Sequence, residues 1–121
     1  MDKKIEYNKY LEKILKKLEI VSPRMVMIFG SYKNNNLSED SDLDLLVVLD
    51  INRVPSSYDE KMEMKLNVRK AIREINREVA IDLLVYTIPE YEALMKSNSS
   101  FSKDLKETGK IIYEKTSKAM A

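Results

Sequence analysis

The run "LDLLVVL" at 43–49 constrains the fold of this chain more than any other stretch. Apart from Asp44 it is apolar at both odd and even positions. Strand side chains alternate between faces, so such a run needs cover on both sides and reads as a central strand. The chain must therefore build a sheet with helices packed against it. Two aspartates, Asp42 and Asp44, stand at the entrance of that strand, on one face and one pleat repeat apart. Their carboxylates would lie ~6 Å apart and repel by about 3 kcal/mol at an effective dielectric of ~20. A divalent cation between them reverses the sign, and oxygen-only ligands favour magnesium or manganese. The structural alternative makes Asp42 a solvated residue or an Asx turn in the acidic patch "SEDSD".

The flanking segments supply the rest of the sheet and its cover. Leu11, Ile14, Leu15 and Leu18 repeat at helical spacing in 3–18. "VSPR" at 21–24 stops that helix, because the residue before a proline is pushed out of the helical region. "MVMIF" at 25–29 is a short strand ended by Gly30 and Ser31, and "KNNNLSEDS" is a polar loop of turn formers. Over 58–78, Met64, Val68, Ala71, Ile72, Ile75 and Val79 mark one long amphipathic helix. "AIDLLVY" at 80–86 reads as a third buried strand. "IPEYEALMKS" starts a helix with Pro near its beginning, "FSKDLKETG" ends another with Gly109, and "KIIYE" is a last strand. The order α–β–β–α–β–α–α–β predicts an α/β (α+β) domain, a small mixed sheet flanked by helices, spanning residues 1–121 as one unit.

Composition narrows the chemistry. The chain has no Cys and no His. That excludes disulfides, thiolate nucleophiles, imidazole bases and almost every structural zinc site. Chemistry must run on carboxylates, hydroxyls, Lys, Arg and an oxygen-bound metal. With 21 basic and 20 acidic residues the net charge is +1, which gives no global attraction to nucleic acid or an anionic membrane. The lysine-rich stretches of the first helix read as a solvated face, and the sequence predicts neither nucleic-acid binding nor membrane insertion. The N-terminus lacks the apolar core of a signal peptide, which places the chain in the cytoplasm.

Asp82 adds a third carboxylate, inside the apolar context of "VAIDLLVY". A lone acid there needs a cationic partner, for which Arg73 and Arg77 are candidates, or a metal shared with the other strand acids. Gly30 permits close backbone approach, and Ser31 offers a hydroxyl and an N–H to a phosphate oxygen. Alone, the Gly–Ser pair is merely how a strand can end. No Walker-type phosphate loop occurs, and the chain has only two glycines.

Taken together, Gly30–Ser31, ten intervening residues, Asp42–Leu43–Asp44 at a strand start, and Asp82 on a later strand resemble the signature of the polymerase-beta-type nucleotidyltransferases. Their small stand-alone branch, the minimal nucleotidyltransferases, is the best match. The resemblance implies that Gly30 and Ser31 hold the phosphates of a nucleoside triphosphate, ATP in the leading reading. It implies that Asp42 and Asp44 bind two Mg2+ ions, with Asp82 also a metal ligand that helps deprotonate the acceptor hydroxyl. Relatives often carry a basic residue soon after the Gly–Ser pair; this chain has "GSYKNNN", with Lys33 its one cation, read as a solvated loop lysine. The resemblance further implies an antitoxin that transfers AMP to a tyrosine of a helical HEPN-type toxin. A non-catalytic antitoxin that masks its partner and a transferase acting on a small-molecule hydroxyl are the alternatives. The exposed sides of the first helix and of the long helix at 58–78 are the faces a partner or a second copy would use.

Overall fold

The computed structural model describes residues 3–30 and 43–115, with side chains from residue 9 onward. Its elements follow the expected order: α1 (Lys3–Leu18), a 3₁₀ turn (Glu19–Val21), β1 (Pro23–Phe29), β2 (Leu43–Leu49), α2 (Tyr58–Ala71), α3 (Arg73–Asn76), β3 (Ile81–Tyr86), α4 (Ile88–Lys96), α5 (Ser100–Thr108) and β4 (Lys110–Glu114). The sheet order is β3-β2-β1-β4. β1 pairs antiparallel with both β2 and β4, whereas β2 and β3 run parallel. A parallel pair needs a long crossover, and α2 with α3 supplies it.

Strand parity divides the core between the two faces. Val26, Ile28, Leu43, Leu45, Val47, Leu83 and Val85 meet Leu11, Ile14 and Leu18 of α1 and Val68, Ile72 and Ile75 of the crossover. The opposite parity, Met25, Met27, Leu46 and Val48, meets Leu105 of α5 and the partly buried Ile88, Tyr91, Leu94 and Met95 of α4. β2 is buried at every position except Asp44, as its two-sided apolar pattern requires. The helices over the second face cover it unevenly. At the end where β1 stops and β2 begins, its apolar residues give way to acids.

Local chemistry explains most helix boundaries. Ser57 caps α2 by accepting the Glu60 N–H at 3.1 Å, and Ser99 caps α5 by accepting that of Ser102 at 3.1 Å. Thr87 and Glu90 form a capping box at the start of α4. Two expectations change. The helix over 58–78 breaks at Ile72, whose φ of −107° and ψ of 14° lie outside the helical region. The break lets Ile72 and Ile75 both reach the core beneath the crossover, where both are buried. β3 is an edge strand rather than a fully buried one, because the chain adds no strand beyond it among the described residues. Only Leu83 and Val85 of β3 are buried.

Candidate active site

The candidate site forms where three strands end together. In the parallel pair, Asp44 lies directly beside Asp82; in the antiparallel pair, it lies opposite Phe29. Adjacent strands are spaced ~4.8 Å apart, and paired residues share a face, so the two carboxylates stand side by side. Both share parity with the residues facing α4 and α5, but they lie past the apolar part of that face. Asp44 is half-buried, whereas Asp82 is exposed on its edge strand. Among the described residues no Lys or Arg forms an ion pair with Asp82, so neither Arg73 nor Arg77 takes the partner role open to it.

Gly30 completes this corner. Its φ is +76°, a left-handed conformation that side chains other than glycine's disfavour. A Cβ at this position would overlap the Asp44 Oδ2 atom, so Asp44 rests directly on the bare glycine Cα. The Gly30 N–H donates to Thr108 Oγ1 at 3.2 Å, and that hydroxyl donates to the Asp104 carbonyl at 2.8 Å. Just before the turn, Phe29 packs edge-to-face on Phe101 of α5, with ring centroids 5.8 Å apart. Strand end, glycine turn and helix α5 are thus fastened to one another beside the two acids.

Of the expected site residues, Gly30, Asp44 and Asp82 come together; Ser31 and Asp42 lie outside the described residues, as does Lys33. Among the described residues no three acids gather closely enough to hold a metal ion by themselves. The donor set fits a hard divalent cation: adjacent carboxylates on an open sheet end, with no imidazole or thiolate anywhere in the chain. Two surface grooves lie elsewhere, one of about 510 Å³ beside Leu15, Pro23 and Tyr113 and one of about 550 Å³ beside Lys17, Ile75 and Arg77. Both grooves mix acids with cations, Glu12 and Glu19 with Lys16 in the first and Glu74 and Glu78 with Lys17 and Arg77 in the second, and neither includes Gly30, Asp44 or Asp82. Thr108 is the contributor that sequence reading missed. "TGKIIYE" reads as a helix end and a strand at the loose edge of the family resemblance, and nothing local ties residue 108 to residue 30.

Residues 9–118 match the family described as "Polymerase beta, Nucleotidyltransferase". The chain belongs to this nucleotidyltransferase family. Solved structures agree on the fold. A protein from Sulfolobus solfataricus proposed to be a nucleotidyltransferase has 20% identity and a TM-score of 0.61, covering 93% of this chain and 84% of that one. A toxin–antitoxin crystallised with AMP-PNP has 19% identity and a TM-score of 0.51, covering 90% and 77%. A mutant of the toxin–antitoxin MntA-HpeT has 17% identity and a TM-score of 0.50, again covering 90% and 77%. At these identities the likeness is one of fold. Comparison with curated protein sequences finds no match.

Proposed function

We propose that the chain is a magnesium-dependent nucleotidyltransferase that moves AMP from ATP onto a tyrosine hydroxyl of a partner HEPN-type toxin, and so acts as an antitoxin. The observation that carries this reading is the in-register pair Asp44–Asp82 at the open end of the sheet, with Asp44 resting on the left-handed Gly30 turn. Two structural neighbours are toxin–antitoxin proteins, one of them crystallised with the ATP analogue AMP-PNP, and they support both the nucleotide and the partner.

Each residue has a distinct task in this scheme. Gly30 and Ser31 would serve the triphosphate together, Gly30 by its left-handed turn and bare Cα and Ser31 by its hydroxyl and N–H. Asp42, Asp44 and Asp82 would hold two magnesium ions, which when bound would neutralise the triphosphate charge and acidify the acceptor hydroxyl. Asp82, exposed on an edge strand, is open to an acceptor arriving on a bulky partner. It takes the proton of the attacking hydroxyl, whose oxygen forms a bond to the α-phosphorus as the bond to the β-phosphate oxygen breaks and pyrophosphate leaves.

The test incubates the chain with α-labelled ATP, magnesium and the protein encoded beside it. Label is expected on the partner, absent with EDTA and absent with Asp42→Asn or Asp44→Asn. Unlabelled partner that is still fully neutralised by both variants would show that masking, not transfer, is the mode of action.

A further inference from the structure

We propose that Thr108 is a positioning residue for the nucleotide turn: its hydroxyl fixes the Gly30 amide and thereby sets Gly30 against Asp44. The proposal rests on the nucleotidyltransferase reading for its functional half. The structural half stands on the atoms alone. A hydroxyl has one proton and two acceptor lone pairs. Thr108 spends its proton on the Asp104 carbonyl at 2.8 Å, which turns a lone pair toward the Gly30 N–H at 3.2 Å. The contact links residues 78 positions apart. It therefore joins the end of the last helix to the end of the first strand.

The rest of α5 holds that hydroxyl in place. Phe101, Leu105 and Thr108 recur at helical spacing, so one face of the helix meets the end of β1. Phe101 packs on Phe29, and Leu105 is buried with Met27. Immediately after Thr108, Gly109 lies so near β1 that a Cβ would overlap Met27 Sδ and the Leu105 carbonyl oxygen. The helix end cannot drift without opening this packing. Thr108 and Gly109 thus act as a pair, the first bonding to the turn and the second allowing the approach.

The bond also assigns a role to Gly30. Its N–H is committed to Thr108, so its part is a bare Cα and a left-handed turn that leave room for the Asp44 carboxylate. Phosphate contact falls to other donors.

The chain's two glycines make this testable, because 15N-glycine labelling yields two amide resonances. Gly109, whose N–H donates to the Leu105 carbonyl at 2.8 Å, serves as the internal reference. In Thr108→Val the Gly30 amide is expected to move upfield and to exchange at least about tenfold faster, while Gly109 keeps its protection. Affinity for magnesium with AMP-PNP should fall about 3- to 10-fold, the range for one lost hydrogen bond. Thr108→Ser should restore both, with melting temperatures of all three proteins showing that each is folded. An unchanged Gly30 amide in Thr108→Val overturns the latch. A changed amide with unchanged nucleotide affinity overturns the positioning role. Wild-type protein that binds no magnesium–AMP-PNP overturns the nucleotidyltransferase reading and the functional half with it, even where the amide result stands.

Discussion

Gly30 and Asp82 carry opposite burdens at the same corner. Gly30 is constrained twice, by its φ of +76° and by the Asp44 oxygen lying on its Cα. Gly30→Ala is therefore expected to lose about 1–3 kcal/mol of stability, read from urea unfolding, and to lose nucleotide affinity with it. Asp82 is exposed and forms no ion pair among the described residues. Asp82→Asn should leave stability within about 0.5 kcal/mol of wild type while transfer falls by about 100-fold or more. Measuring unfolding and label transfer on the same preparation separates the two effects. A large stability loss in Asp82→Asn would mean that this acid is a structural group after all. Other residues are explained by packing alone. Tyr86 and Tyr91 pack against the apolar cluster beneath α4, and Tyr58 is 75% exposed at the start of α2.

At the scale of elements, charges fasten the ends of helices to the loops before them. Arg53 forks onto Glu60 with bonds of 2.7 and 2.8 Å, and the Ser56 N–H donates to the same carboxylate at 2.7 Å. The Arg53 hydrogen bonds, then the Ser56 amide, hold the Glu60 carboxyl down at about 2. A depressed carboxyl contributes stability above its unfolded value, near 4.5, and loses it as pH falls toward 2. Glu60→Gln should therefore be less stable than wild type at pH 7, and thermal unfolding should show the difference vanishing between about pH 4.5 and 2. Exposure of this pair to salt and water keeps the difference small. At the start of α4, burial pushes Glu90 up, but Lys61 at 2.7 Å and the Thr87 N–H at 2.9 Å more than offset it, and the group stays below its usual value. Lys61 also lies 5.1 Å from the centre of the Tyr86 ring, so the bridge ties α2 to both β3 and α4. Glu90→Ala should cost about 1–3 kcal/mol in denaturant unfolding, since it leaves the fully buried Thr87 without its capping partner.

At the scale of the whole molecule, one sheet face is sealed by α1, α2 and α3, and the other is left open where the acids stand. A ligand bound there is held by the folded chain alone, so magnesium–ATP should raise the melting temperature. A free concentration 100 times Kd corresponds to about 2.7 kcal/mol, and EDTA should reverse the shift. No shift at saturating magnesium–ATP would favour a plain structural domain. Among the described residues no helix is long and apolar enough to cross a membrane. The two-sided apolar pattern of 43–49 located the central strand, and helical spacing located α1, because these periods are properties of a single segment. The same local rule predicts Asp42 and Asp44 on one face, of which only Asp44 lies among the described residues, and the absence of His and Cys restricts candidate ligands to oxygen before any contact is known. Local periods could not reveal that β3 would end the sheet and expose Asp82, nor that α2 would break at Ile72, because both depend on which segments become neighbours. The contact between Gly30 and Thr108 is the clearest case. A hydrogen bond acts over about 3 Å of space whatever the distance along the chain, so only the packing of α5 on β1 could bring it into being.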